Sequence, residues 1–135
     1  MTIFQLPYPP STNRMWRTRV VTTKGRSFVQ TYLSKEGAEF KEAAGWIAKA
    51  AGARIIDGPV NVIYTLHPKV TKKGEPSKVR LDLGNAEKVA SDALNGIAWN
   101  DDKQLARILL VLGTPKPDGG LTVEIEAAEF SLEGV

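Results

Sequence analysis

The sequence predicts an α+β domain, a small mixed β-sheet with two main helices packed on one side. Three observations lead there. Two stretches, 35–51 and 86–97, repeat apolar residues at helical spacing. Shorter runs rich in β-formers are bounded by Pro and Gly. No repeat or linker divides the 135 residues, so a single domain spans 1–135.

In order, Ile3-Phe4-Gln5-Leu6 reads as a strand stopped by Pro7 and the Pro9-Pro10 pair. Val20-Val21-Thr22 and Phe28 to Tyr32 flank Thr23-Lys24-Gly25-Arg26 as a hairpin turning at Gly25. Ser34 caps a helix from Lys35 to Ala51, with Phe40, Ala43, Ala44, Ile47 and Ala51 as its stripe and Gly52 as its stop. Val60 to Leu66 follows Gly58-Pro59 and reads as a strand. The basic segment from His67 to Val79 is a loop long enough to be functional. Asn85 caps a second helix from Ala86 to Ile97, striped by Ala86, Val89, Ala90, Ala93, Leu94 and Ile97. Leu105 to Leu112 reads as a buried strand, Pro115 to Gly120 as a turn, and Leu121 to Ala127 as a final alternating strand. Phe28 is expected in the core, and His67, before Pro68, in a structural role.

Composition excludes much. Zero cysteines and one histidine remove disulfides, a thiolate or two-histidine zinc site and a cysteine nucleophile. No apolar run is long enough to span a bilayer. The opening MTIFQLPYPPSTNR lacks a signal pattern, so no membrane partner is expected and the cytoplasm is the expected compartment. The net charge of +3 is unevenly placed. Residues 1–35 hold six cations and no acid, and Lys69 to Arg80 carry five cations against Glu75. After Gly113 the sign reverses, with Asp118, Glu124, Glu126, Glu129 and Glu133 against Lys116. A basic front and an acidic back point to a polyanion on one surface.

Three acids stand apart from the helix-start glutamates. Asp82 sits at a loop-to-helix junction, and Asp101 and Asp102 follow the second helix. On a helical wheel Asn85, Lys88 and Asp92 lie within about 60° of one another, away from the apolar stripe. If the turn folds back, Asp82 and Asp102 converge with a lysine at the helix start. Oxygen donors of this kind suit Mg²⁺, which takes one or two carboxylates plus phosphate oxygens. Spacing alone leaves a second reading open, in which Lys88 and Asp92 form an ordinary surface pair and Asp101-Asp102 are turn formers.

The segment from Asp82 to Leu94, Asp-Leu-Gly-Asn-Ala-Glu-Lys-Val-Ala-Ser-Asp-Ala-Leu, is followed by Trp99-Asn100-Asp101-Asp102. It resembles the signature of the RusA family, Holliday junction resolvases of bacteria and their prophages. The opening Leu6-Pro7-Tyr8-Pro9-Pro10-Ser11-Thr12-Asn13-Arg14 resembles that family's start as well, and the likeness covers nearly the whole chain. It implies a homodimeric, Mg²⁺-dependent endonuclease of recombination and repair, with Mn²⁺ able to substitute. Such an enzyme nicks four-way or branched DNA symmetrically. By position the resemblance makes Asp82 and Asp102 metal-binding acids and Lys88 the catalytic lysine. Gly84 stands where the family has a further aspartate, a ligand position open to Asp92, to Asp101 or to a water. The alternative raised by Gly84 is a catalytically weak or inactive branched-DNA-binding protein; a third class is an interaction subunit of a phage replication complex. Arg14, Arg17, Arg19, Lys72, Lys73, Lys78 and Arg80 become the expected phosphate contacts. Trp16, Phe28 or Tyr8 is available to stack on an unpaired base. Two matched incisions call for two sites, and Ile108-Leu109-Leu110-Val111-Leu112, or the neighbouring helix, is the expected dimer surface.

Overall fold

The computed structural model describes residues 1–129. Its elements are β1 (Thr2–Leu6), α1 (Thr12–Met15), β2 (Trp16–Thr23), β3 (Arg26–Leu33), α2 (Lys35–Ala50), β4 (Val60–His67), α3 (Leu83–Leu94), β5 (Leu105–Leu112) and β6 (Gly120–Ala127). A 3-10 turn over Asp102–Gln104 leads into β5. Glu133 and the end of the expected 1–135 domain lie outside the described residues.

Four strands form one mixed sheet in the order β1-β6-β4-β5, and β2-β3 form a separate ribbon. β6 is antiparallel to β1 and β4, while β5 is parallel to β4. A parallel pair needs a crossover, and α3 supplies it. The chain therefore runs up β4, back along α3 and up β5. Contacts at each end of α3 confirm the direction. Leu81 bonds to Tyr8, just past the end of β1, whereas Trp99 bridges Ile56, just before the start of β4. The two ends of α3 thus lie at opposite ends of the sheet.

The core is the helix-facing side of that sheet. Phe4, Leu6, Val60, Val62, Tyr64, Leu66, Leu121, Val123 and Ile125 are buried beneath Phe40, Ala44 and Ala48 of α2 and Ala86, Val89, Ala90, Ala93 and Leu94 of α3. Alternate residues such as Ile3, Gln5, Glu126 and Leu109 face away from it and are exposed. Tyr64 locks α3 to β4: its hydroxyl lies 2.9 Å from Ser91 Oγ, which donates to Glu87 Oε1 at 2.8 Å. Burial pushes the Tyr64 phenol far above its ordinary range, so it stays a neutral donor.

The expected architecture holds: an α+β chain with a mixed sheet and helices on one side. Ser34 caps α2 as its position requires, accepting from Gly37 N at 2.9 Å. The hairpin turns at Lys24-Gly25, both at positive φ (53° and 78°), which gives the ribbon its tight two-residue turn. Its strands run longer than their β-rich centres indicated. His67 is structural: Nδ1–H donates to Thr114 O at 2.8 Å, and Nε2 then accepts from Thr122 Oγ1 at 2.7 Å.

Four expectations are corrected. The second helix starts at Leu83 rather than Ala86, because Asp82 and not Asn85 is its cap. It ends at Leu94, since Asn95 leaves the helical region and Gly96 takes φ 81°. Leu105–Leu112 is not a buried strand but the sheet's edge, exposed along much of its length. Phe28 is 51% exposed, because nothing among the described residues covers its part of the ribbon.

Candidate functional site

The two sequence motifs meet in space. Asp82 accepts from Asn85 N at 2.7 Å, capping α3 and leaving its second carboxylate oxygen out of that bond. The Asn85 side chain reaches α1, where Oδ1 accepts from Thr12 N at 3.0 Å and Nδ2 donates to Thr12 Oγ1 at 3.2 Å. One asparagine therefore clamps the Pro-Pro-Ser turn to the start of α3. Tyr8 makes a second clamp, its hydroxyl accepting from Leu81 N at 2.8 Å. Replacing Asn85 by alanine removes both bonds to Thr12 and strands its amide; a loss of about 1–2 kcal/mol is expected in urea unfolding. An unchanged midpoint would show the clamp to be idle.

A basic cleft opens at this end of α3. Arg14, Lys69, Arg80, Val79, Tyr8 and Pro10 line it with one acid, Glu36, so three cations from separate segments of the chain face one space. Lys69 sits 5.2 Å from the Tyr8 ring centroid, a cation–π contact at the mouth of the clamp. The segment beyond Lys69 folds back on itself through Ser77 N to Lys69 O (2.8 Å) and Thr71 N to Glu75 O (2.7 Å). Lys72 and Lys73 stand exposed at its tip, and Lys78 and Arg80 are exposed where it returns to Asp82. On the ribbon, Arg17 and Arg19 share a face with Tyr32, whose ring lies 5.0 Å from the Arg19 guanidinium.

The other acids gather elsewhere. Asp92 lies ten residues beyond Asp82, about 15 Å along the helix. It borders a cleft lined by Met15, Trp16, Leu33, Lys41 and Asn95. Burial pushes the Asp92 carboxyl up, and the nearby Asp102 carboxylate adds to this, while Lys88 and Lys41 pull it back down. Asp92 and Asp102 are thus electrostatic neighbours at the far end of α3. Asp101 serves the turn: its carboxylate accepts from Lys103 N at 2.8 Å, and that bond, with the Asp102 side chain, holds it below the usual range. Gln104 completes the box and ties it to the entry of β4 through Ile56 O and Gly58 O.

The fold-back expected to join Asp82 to Asp102 within one chain is therefore not seen. The crossover puts the two at opposite ends of α3, and no group of three or more acids or histidines gathers for a metal among the described residues. Of the polar trio on the wheel only Lys88 is exposed, with Asn85 and Asp92 half-buried. Lys41 and Trp46 were not legible as site residues, because their place depends on how α2 packs. Trp46 is 71% exposed and lines a cleft with Leu33, Lys41 and Ile97.

Asp92 carries a sign that stability measurements will read. Its native pKa is raised, so the folded state holds a proton that the unfolded state has lost, and stability falls as pH rises from the ordinary carboxylate value toward the native one. At neutral pH without metal, Asp92→Asn is expected to stabilise the fold by under about 1 kcal/mol, since the group is partly solvated. The gain should close on acidification toward about pH 3. A destabilised variant at neutral pH would contradict the assignment.

The family model described as Endodeoxyribonuclease RusA matches residues 7–126. The chain is similar to Crossover junction endodeoxyribonuclease RusA of Escherichia coli strain K12, 34% identical over 130 residues, covering 95% of this chain and 94% of that protein. It is equally similar to the protein of that name from Shigella sonnei strain Ss046 (34% identity, the same coverage). A counterpart from Enterobacteria phage 82 is 32% identical over 130 residues, again covering 95% and 94%.

Proposed function

The chain belongs to the RusA family, and from that premise we propose that it is a structure-selective DNA endonuclease that resolves Holliday junctions by symmetric phosphodiester hydrolysis. The carrying observation is the clamp that seats Asp82 beside the cleft of Arg14 and Arg80. Phosphates held by those cations, and by Lys72, Lys73 and Lys78, bring a strand past the capping carboxylate. Arg17 and Arg19 extend the basic surface along the ribbon, whose two-stranded form fits a DNA groove.

The donors suit a hard divalent cation, being carboxylate oxygens without a thiol in the chain and with the one imidazole engaged elsewhere. Asp82 and Asp102 would hold Mg²⁺, with Mn²⁺ able to substitute. When bound, such an ion polarises the scissile phosphate and supplies an acidified water. Because α3 separates these acids within a chain, Asp82 of one copy works with Asp102 of a second in a homodimer. Asp92 accompanies Asp102 as a neighbouring carboxylate. Lys88, exposed about 9 Å along α3 from Asp82, stabilises charge as it develops on the phosphate. Asp101 is left to the turn.

The non-cutting alternative raised by Gly84 finds no support. Mg²⁺ keeps several waters and is content with one or two carboxylates and phosphate oxygens. A Cβ added at Gly84 would meet Asp82 Oδ1 at 3.6 Å, an ordinary contact, so a side chain can leave the backbone there without a clash. Gly84→Asp is therefore expected to raise nicking of a synthetic four-way junction several-fold at limiting Mg²⁺, with linear duplex of the same sequence left uncut. Unchanged nicking would show the position to be dispensable; equal cutting of the duplex would overturn the junction reading.

A further inference from the structure

The β2-β3 ribbon has two chemically unlike faces. Residues directly opposite in an antiparallel pair share a face, and the faces alternate along the strand. One face pairs Trp16 with Leu33, Thr18 with Thr31, Val20 with Val29 and Thr22 with Ser27, and holds no charge. The other pairs Arg17 with Tyr32, Arg19 with Gln30, Val21 with Phe28 and Thr23 with Arg26. No acid occurs from Trp16 to Leu33, so a polyanion belongs on this second face. Arg19 is already held there. Its Nε donates to Gln30 Oε1 at 2.8 Å and its guanidinium lies 5.0 Å from the Tyr32 ring centroid, although all three residues are exposed. An arginine serving only solubility needs neither contact; one fixed in advance has less freedom left to lose on meeting a phosphate. Phe28 is the anomaly of this face. Its ring is half exposed opposite Val21, in a row about 7 Å from Arg19 on one side and about 7 Å from Arg26 on the other. Unbroken duplex would not stabilise an apolar ring bracketed by cations, because it offers phosphates and base edges while its base faces are stacked away.

We infer that Phe28 reads the branch point of the DNA. Arg17, Arg19 and Arg26 hold phosphates of the arms, and the Phe28 ring stacks on a base face that the crossover leaves uncovered. Trp16 does not share this role, because it lies on the uncharged face and lines the cleft of Met15, Lys41 and Asp92. The ribbon thus supplies the preference for branched over linear DNA and leaves cutting to the acids. The inference rests on the nuclease reading for its ligand, yet stacking at the branch point needs neither metal nor cleavage.

The test measures binding of the full-length protein, in chelator, to a synthetic four-way junction and to linear duplex of the same sequence, with nicking in Mg²⁺ followed beside it. Phe28→Leu keeps apolar bulk against Val21 but has no ring face. It is expected to weaken junction binding on the order of tenfold and to leave duplex binding unchanged. Phe28→Trp should restore the preference, whereas a purely structural Phe28 would be served by leucine as well. Val29→Ala, on the opposite face, should bind both DNAs as the native chain does. A wild type without preference for the junction, a folded Phe28→Leu variant that keeps the full preference, or an equal loss of preference in Val29→Ala would overturn the proposal. If a Phe28→Leu variant with its preference intact still nicks, the nuclease reading stands without this role for the ring. A wild type that prefers junctions, loses that preference with leucine and never nicks would uphold the role and sink the nuclease reading alone.

Discussion

Replacing Asp82 by asparagine is expected to abolish junction nicking, by roughly a hundredfold or more, while leaving the fold and junction binding intact. The substitution separates two jobs that the native carboxylate performs together. One oxygen caps α3 by accepting from Asn85 N, and an asparagine oxygen does this equally well. The charge that would hold a divalent ion is lost. Alanine removes both, and should add a stability loss of about 1 kcal/mol to the same loss of cutting. Urea unfolding and gel-shift binding of the asparagine variant, beside its nicking rate, decide the matter. Full activity would remove Asp82 from the site.

Mixing two dead variants is expected to revive activity. If each site takes Asp82 from one copy and Asp102 from the other, Asp82→Asn and Asp102→Asn are separately inactive. A heterodimer of the two then has one site with both changes and one with neither. Random exchange in an equal mixture makes half the dimers mixed, so about a quarter of the native sites return. These act alone, giving single nicks rather than paired ones. No revival after subunit exchange, with exchange verified by tagged copies, would place both acids in one chain's site and contradict the crossover geometry.

Local chemistry was legible in the sequence where it is decided locally. Ser34 at a helix start, Gly25 in a two-residue turn and the stripe of α3 each follow from a few neighbouring residues. The cap of α3 was misplaced because aspartate and asparagine both cap, and only the tertiary bond from Asn85 to Thr12 decides which is free to do so. Leu105–Leu112 reads as buried because an apolar run looks alike whether it lies inside a sheet or along an exposed edge. Asp82 and Asp102 were expected to converge because wheel spacing carries no information on strand direction; the parallel pairing of β4 with β5 forces them apart. Residues whose role depends on α2 meeting α3, such as Lys41 beside Asp92, left no mark in either helix alone.

Two matched, metal-dependent sites would leave a symmetric pattern of cuts. Mapping the cuts on a mobile four-way junction, with each of the four strands end-labelled in turn, reads that pattern directly. With Mg²⁺, nicks are expected in two strands at symmetry-related positions, and none when the ion is chelated. Cutting that persists in chelator, or that falls on one strand only or without regard to the branch point, would contradict it.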